Sequence, residues 1–530
     1  MIRVRQVSVN VDKSSIEDIK SNTAKKIKIN PNDILNLSIN KESIDARYKP
    51  DLYYIYEVDI EVKNENTILK KNKSNDILKT PNEEYSFNKC GSTNLKTRPI
   101  IVGSGPAGLM AAYMLSKKGF KPLIIERGEK VEDRVNTVNK FWEDGILNTN
   151  SNVQFGEGGA GTFSDGKLNT LVKDKEHIGK EVFRIFVESG APSEILYVNK
   201  PHIGTDLLRN VVINIRKKII EMGGEFRYNT TLTNIYTKNN KLVKIEVNNE
   251  EIIECEVLVL AIGHSARDTF KMLYENNIVM KPKPFAIGVR IQHPQNLINK
   301  SQYGVEKHEK LGSASYKLTY HTSNNRGVYT FCMCPGGYVV NSSSEEKRLA
   351  INGMSNHARD SKNANSAILV TITPDDFGNN PLDGIAFQRK LEELTYNLGN
   401  GNIPVQLFKD YKENVITKSF NTIEPIFKGN TKFANINEIF PDYMNIALKE
   451  GIEAFGHKIK GFNMDDAILA AIESRTSSPV KIERNEEGIS NIEGIYPCGE
   501  GAGYAGGITS AAMDGIKTFQ FIASKYKSNY

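Results

Sequence analysis

The sequence predicts an α/β fold built on a parallel sheet, because short apolar strands alternate with a glycine turn and an apolar helix. Residues 99–102 form a short buried strand, residues 109–118 an apolar helix, and residues 122–126 the next apolar strand. Two strands joined through a helix run parallel, as in a βαβ unit. A further apolar run at residues 257–261 supplies another buried strand of the kind found in parallel sheets.

A glycine run connects the first strand to the helix. Residues 103–108 read Gly-Ser-Gly-Pro-Ala-Gly, and Glu126 ends the second strand. At this spacing Gly103 permits a tight turn, Gly105 lets the backbone approach a pyrophosphate, and Gly108 brings the helix close to the sheet. The start of the helix attracts phosphate through its free N–H groups and its dipole. With Glu126 available to the ribose hydroxyls, the sequence predicts a dinucleotide site.

Two further glycine-rich loops point to a long cofactor. Residues 156–161 read Gly-Glu-Gly-Gly-Ala-Gly, and residues 498–507 contain five more glycines ahead of a helix predicted from Ile508 to about Lys525. One nucleotide half does not need three such loops, whereas a cofactor that spans the sheet edge does.

Composition excludes several classes of protein. Hydrophobic residues make up 39% and charged residues 25% of the 530 residues, which excludes a disordered chain. The net charge of +6 is too mild to indicate nucleic acid, although a basic stretch at residues 13–49 keeps RNA or an acidic partner as an alternative. No apolar run approaches the roughly 20 residues of a membrane span. Five cysteines and no readable signal peptide favour a reducing, cytoplasmic setting without membrane partners.

The chain resembles the flavoproteins of the glutathione reductase type over residues 98–283 and about 440–530. It is more similar still to a bacterial family of uncharacterised FAD-dependent dehydrogenases, through residues 155–168, 263–268, 284–290 and 332–337. This resemblance implies non-covalent FAD and a Rossmann-like FAD-binding domain. The residues that it implies in cofactor binding are Gly103, Ser104, Gly105, Pro106, Ala107, Gly108, Glu126, Arg127, Arg134, Gly158, Gly159, Ala160, Gly161, Leu232, Ala261, Gly263, Gly499, Glu500, Gly507 and Ile508.

The predicted organisation has three parts. Residues 1–92 form a small α+β domain and a polar linker, which we place at residues 63–96. Residues 93–283 and 440–530 form the FAD-binding domain, and residues 284–439 form an inserted α+β domain that caps the flavin and selects the substrate.

The predicted function is FAD-dependent oxidoreduction, with hydride transfer to or from an unidentified small molecule. A second nucleotide motif followed by a helix is missing from the sequence, so NAD(P)H is expected at most as a transient partner. Two alternatives stay open: an FAD-dependent RNA-modifying protein, and a flavin-binding redox sensor without turnover.

Three residues are candidates for the chemistry itself. Cys332 and Cys334 form a pair beside which a flavin could exchange electrons, although strand geometry puts their Cα atoms at the limit of a disulfide. His264 follows Gly263 and could move a proton in step with a hydride. Each also has a structural interpretation, as packing thiols or a loop histidine. No cysteine or histidine spacing indicates a metal site.

Overall fold

The computed structural model describes residues 1–72 and 74–528, which form an N-terminal domain, a central domain and a cap. The N-terminal elements are β1 (Ile2–Asn10), α1 (Ile16–Ile27), β2 (Ile34–Tyr48), β3 (Asp51–Val62), α2 (Glu65–Lys71) and β4 (Ile77–Lys79).

The N-terminal strands form one antiparallel sheet in the order β2-β3-β1-β4. Helix α1 begins after Ser15, whose hydroxyl accepts a hydrogen bond from the Asp18 N–H while the Asp18 carboxylate accepts one from the Ser15 N–H. The interpretation of residues 63–96 as a linker is wrong for residues 65–79, because α2 belongs to this domain and β4 pairs with β1.

The central domain begins with β5 (Thr93–Asn94), β6 (Ile100–Val102), α3 (Pro106–Lys117), β7 (Leu123–Ile125), α4 (Val131–Asp144), α5 (Ile178–Glu188), α6 (Thr205–Glu221), β8 (Glu225–Arg227), β9 (Leu232–Lys238), β10 (Lys241–Val247), β11 (Glu251–Glu254), β12 (Leu258–Leu260), α7 (Arg267–Glu275) and β13 (Met280–Pro282). The cap follows with β14 (Phe285–Pro294), α8 (Gln295–Tyr303), β15 (Thr319–His321), β16 (Gly327–Cys334), β17 (Tyr338–Asn341), β18 (Ile351–Met354), β19 (Asn363–Ile372), α9 (Pro374–Phe377), α10 (Asp383–Gly399), β20 (Ile403–Leu407), α11 (Phe408–Glu413), β21 (Phe427–Lys428), β22 (Thr431–Phe433), α12 (Asp442–Gly456) and β23 (Ile468–Glu473). The chain then returns to the central domain with β24 (Val480–Ile482), β25 (Ile495–Pro497), α13 (Ile508–Lys525) and β26 (Tyr526–Lys527).

A parallel sheet in the order β25-β12-β6-β7-β8 forms the centre of this domain. Apolar side chains of α3, α5, α6 and α13 pack on one face, and those of α7 and the β9-β10-β11 sheet pack on the other. Burial on both faces explains why the strands are continuous apolar runs in the sequence. The predicted α/β fold with a Rossmann-like domain is confirmed.

The cap is a seven-stranded sheet in the order β15-β16-β19-β14-β23-β20-β22, with α12 packed against it. Strand β23 pairs antiparallel with β14, so residues 440–473 belong to the cap and not to the FAD-binding domain. The predicted boundary at 440 is therefore wrong, and the return to the central domain lies after β23. In the part of the chain that the structure describes, no helix combines the length and the apolar character that crossing a membrane requires.

Candidate functional site

A cavity of about 1400 Å³ lies between the central domain and the cap. Its lining includes the turn between β6 and α3, the start of α13, β16 of the cap and residues 195–201 of the central domain, with Asn40 and Lys41 of the N-terminal domain. We call the lining around β16 and residues 195–201 the cap end of the cavity. All three domains therefore contribute to one site.

Glu126 joins the first two glycine loops. Its Oε2 accepts hydrogen bonds from the backbone N–H and the hydroxyl of Ser104, at 2.9 and 2.8 Å. Its Oε1 accepts from the backbone N–H groups of Gly128 and Gly156, both at 3.0 Å. These four donors match the acceptor capacity of a carboxylate. Glu126 lines the cavity, but any contact with ribose hydroxyls has to share oxygens that the protein already uses, so that role stays a prediction.

Arg134 has a different place from the one that the sequence suggested. Its side chain is fully buried on α4, and its guanidinium donates to the backbone carbonyls of residues 152, 153, 156, 157 and 159. None of its atoms lines the cavity. Arg134 therefore does not contact a pyrophosphate in this arrangement. It holds the second glycine loop in shape, a role that sequence spacing does not reveal.

The C-terminal glycine loop is fixed by an acid that the sequence analysis missed. The Gly499 N–H donates to Asp514 Oδ2 on α13 at 2.8 Å, and Arg484 pairs with the same carboxylate at 2.7 Å. Glu500, by contrast, lines the cavity, and its Oε1 lies 3.3 Å from Nδ1 of His264. Among the described residues, Nε2 of His264 is buried without a hydrogen-bond partner.

Glycines at the centre of the cavity leave room for a large ligand. A Cβ atom added at Gly263, Gly506 or Gly507 would meet no atom within 4 Å. Gly507 precedes α13 with an extended φ of 175°, so its backbone does not require glycine. His264, whose buried Nε2 has no hydrogen-bond partner among the described residues, also lines this space. This combination of empty volume, an unpaired polar atom and two helix starts, those of α3 and α13, fits FAD.

Most of the residues implied in cofactor binding line the cavity. Five do not, and these are Ser104, Gly108, Arg134, Gly158 and Gly499. Gly108 instead allows close packing, because an added Cβ would lie 1.9 Å from the Gly103 carbonyl oxygen. The fifteen that line it are Gly103, Gly105, Pro106, Ala107, Glu126, Arg127, Gly159, Ala160, Gly161, Leu232, Ala261, Gly263, Glu500, Gly507 and Ile508.

Cys332 and Cys334 both line the cap end of the cavity as free thiols. A bulge in β16 gives Cys332 a positive φ of 40°, a conformation that costs energy for a residue with a Cβ. The buried Arg290 holds this bulge, since its guanidinium donates to the Cys332 carbonyl oxygen at 3.1 Å and to Glu473 at 2.9 Å. The Cys332 side chain is accessible to solvent within the cavity, but the surrounding protein raises its pKa to about 12 through desolvation, with a smaller contribution from Cys334.

Arg267 and Arg290 both form buried ion pairs. Arg267 donates to both oxygens of Glu392 at 2.8 Å, and Arg290 pairs with Glu473. Arg475 donates to Glu392 from the opposite side. No sequence motif indicates these ion pairs, because Arg267 and Glu392 are 125 positions apart in the chain.

Family models match three segments of the chain. Residues 284–476 match the family described as FAD-dependent protein, C-terminal domain-like, and residues 101–145 match the NAD(P)-binding Rossmann-like domain. Residues 1–61 match a domain of unknown function, DUF8436. An uncharacterized protein from Clostridium beijerinckii is 49% identical over 99% of both chains.

Two solved structures are distantly similar. Glycine oxidase from Bacillus cereus is 11% identical, with 80% of this chain and 94% of that chain covered at a TM-score of 0.34. L-proline dehydrogenase from P. horikoshii is 12% identical, with 82% and 96% covered at the same TM-score. Likenesses this weak say nothing about the substrate.

Proposed function

The chain belongs to the same family as its Clostridium beijerinckii relative, a family of FAD-dependent oxidoreductases, and we propose that it oxidises or reduces a small organic molecule held under the cap. FAD is its cofactor, and the chain is a flavoprotein with a Rossmann-like nucleotide-binding fold. When bound, FAD supplies the hydride chemistry. The finer identity proposed in the sequence analysis, a dehydrogenase with a glutathione reductase-type FAD domain, is part of this proposal.

The continuous cavity is the observation that carries the proposal. Ligand pockets usually measure roughly 300–1000 Å³, and the cavity here has about 1400 Å³. It extends from the glycine turn of α3, past the start of α13, to the inner strands of the cap. This volume suits a long cofactor together with a second, smaller molecule.

His264 is the residue best placed to hold a proton. Glu500 lies 3.3 Å from its Nδ1, and its buried Nε2 has no partner within residues 1–72 and 74–528. A carboxylate that accepts a hydrogen bond from Nδ1 favours the tautomer in which Nε2 is an acceptor. We assign to His264, which lines the cavity, the acceptance of a proton from the substrate. The positive end of α13 at Ile508 favours negative charge in the same part of the cavity.

NAD(P)H is the electron partner that we propose to test first. The first experiment is an anaerobic visible spectrum of the purified protein before and after addition of NADPH, and then of NADH. Rapid bleaching of the bound flavin would support a nicotinamide-linked dehydrogenase in the cytoplasm, where these dinucleotides are available. A flavin that stays oxidised with both would contradict this choice and direct the search to organic donors.

The role of His264 has its own test, which uses a substrate found by screening small organic molecules against the reduced protein. Because proton transfer by a positioned side chain contributes about 10²–10⁴-fold, His264→Gln should lower kcat by about 100-fold at unchanged flavin content. The matched control is His321→Gln, an exposed histidine of the cap that does not line the cavity. Equal kcat in His264→Gln and the wild type would exclude this role.

A further inference from the structure

We propose that the cap end of the cavity binds an oxyanion of the substrate, a carboxylate or a phosphate, through Lys167, Lys200 and Arg359. We call these three residues the cationic cluster. This inference rests on the proposed function, because it names the substrate class of the same cavity. All three side chains line the cavity.

Three segments bring the cationic cluster together. Residues 165–168, 200–205 and 355–359 are joined by backbone hydrogen bonds of 2.9–3.2 Å, and Lys167 forms an isolated β-bridge with His202. The Lys167 ammonium also donates to the Met333 carbonyl oxygen, which ties the cluster to β16 of the cap. The cluster is therefore built on hydrogen-bonded backbone and not on free side chains of a mobile surface.

The cluster has more positive than negative charge. Asp165 accepts hydrogen bonds from Nε and Nη2 of Arg359, the first at 2.9 Å, and its Oδ2 lies 3.9 Å from the Lys167 nitrogen. Among the described residues, no carboxylate forms an ion pair with Lys200, and Asp165 is the one that pairs with the other two. Three cations thus face one carboxylate.

The surplus charge lies beside the cap, because Lys167 donates to the Met333 carbonyl oxygen on β16. The phosphates of the cofactor are expected instead at the start of α3 and its glycine turn. Across the described lining of the whole cavity, eight lysines and arginines face four acids, and those acids are already bonded to protein donors or lie beside His264.

Confined charges of one sign attract an oppositely charged ligand. A cleft lined by cations with low-dielectric walls focuses the field and concentrates anions inside it. In agreement, partial burial in the cavity wall and the neighbouring Lys167 and Arg359 lower the pKa of Lys200 below its ordinary value, while its side chain stays accessible to solvent. An anion between the three side chains would remove this repulsion and accept hydrogen bonds from Lys200 and from Nη1 of Arg359.

The test is a calorimetric titration of the FAD-containing protein with inorganic phosphate and, separately, with succinate. Dimethyl succinate, which has the same carbon chain without charge, is the ligand control. We expect binding of at least one of the two anions and none of the diester. The two anions separate a phosphate-bearing from a carboxylate-bearing substrate.

Variants locate the binding. Lys200→Met should weaken the anion about tenfold or more, the loss expected for one charge-assisted hydrogen bond, and Lys200→Arg should largely restore it. Arg359→Lys tests the second cation while a positive charge stays beside Asp165. The matched control is Lys217→Met on α6, an exposed lysine outside the cavity, which should bind like the wild type.

Two results would overturn the inference: no binding of either anion by the wild type, or equal binding by the wild type and Lys200→Met. The proposed function fails differently, through a bound flavin that exchanges electrons with no nicotinamide or organic substrate. Anion binding measured by heat does not depend on that outcome, so the two failures are distinguishable.

Discussion

At the scale of single residues, the thiol of Cys332 offers a direct test of the chemistry at the cap end of the cavity. Its surroundings raise the pKa to about 12, from an ordinary value of 9.0. At pH 8 the thiolate fraction is then on the order of 10⁻⁴, and the thiolate is the form that reacts. We expect Cys332 to be alkylated slowly by iodoacetamide at pH 8, and about tenfold faster for each unit of pH up to 11, as measured by peptide mass spectrometry.

Cys90 provides the comparison within the same sample, since it is exposed on the segment before β5. Alkylation of Cys332 at the rate of Cys90 would contradict the raised pKa. A Cys332–Cys334 disulfide in the protein as purified would favour the alternative in which the two thiols form a redox pair.

At this scale the sequence predicts the placement of residues that are close together in the chain, while their roles in binding the cofactor stay predictions. The turn from Gly103 to Gly108 and the acid at Glu126 lie within one βαβ unit, so their mutual placement follows from the sequence. Arg134 was expected to bind the cofactor but holds the second glycine loop, and Asp514, which holds the C-terminal glycine loop, was not a candidate. The partners of both residues lie on loops whose path depends on tertiary packing.

At the scale of secondary structure, the start of α13 decides how the cavity accepts its cofactor. An added Cβ at Gly507 meets nothing within 4 Å, and the extended φ of 175° suits any residue. Gly507→Leu should therefore fold with unchanged thermal stability as the cofactor-free protein. Its side chain would occupy the space in front of α13, so the flavin content after purification should fall at least fivefold, as measured by absorbance.

Gly312→Leu is the matched control, because Gly312 also faces open space and has no left-handed φ, but lies outside the cavity. It should retain the flavin content of the wild type. Full flavin content in Gly507→Leu would mean that the cofactor does not pass in front of α13.

The elements also show where sequence patterns are insufficient. Helix α13 was predicted nearly to the residue, because a glycine loop marks its start. Strand β23 was placed in the wrong domain, because an apolar run carries no information about its partner. Its pairing with β14, far away in the sequence, decides its position.

At the scale of the whole molecule, the site depends on contacts between domains. The backbone of Glu42 on β2 exchanges hydrogen bonds of 2.8 Å with Tyr197 and Asn199, next to Lys200. This contact brings Lys41 to the rim of the cavity. The cationic cluster could not be predicted, because Lys200 and Arg359 are far apart in sequence and share no motif. Only the docked domains bring them together.

A buried charge network joins the cap to the central domain. Disrupting this network should cause the largest loss of stability that we predict. Glu392 on α10 is fully buried between Arg267 of α7 and Arg475 after β23. Burial alone would raise its pKa, but the two arginines hold it well below the ordinary value. Glu392→Gln leaves two buried guanidinium groups undercompensated, so the free energy of unfolding should fall by about 3–5 kcal/mol, as measured by urea denaturation.

The neighbouring Glu393 is exposed on the same helix, and Glu393→Gln should change stability little.

The buried charge network also predicts how the stability of the fold depends on pH. Burial would raise the pKa of Glu345, but Arg389, Arg267 and Arg475 hold it at about 2, below its ordinary 4.5. A carboxylate with a lowered pKa stabilises the fold above its unfolded value, and this contribution is lost as pH falls from about 4.5 towards 2. Stability that declines over this range in the wild type, and less steeply in Glu345→Gln, would support the network, whereas equal slopes would show that the cap is held by other contacts.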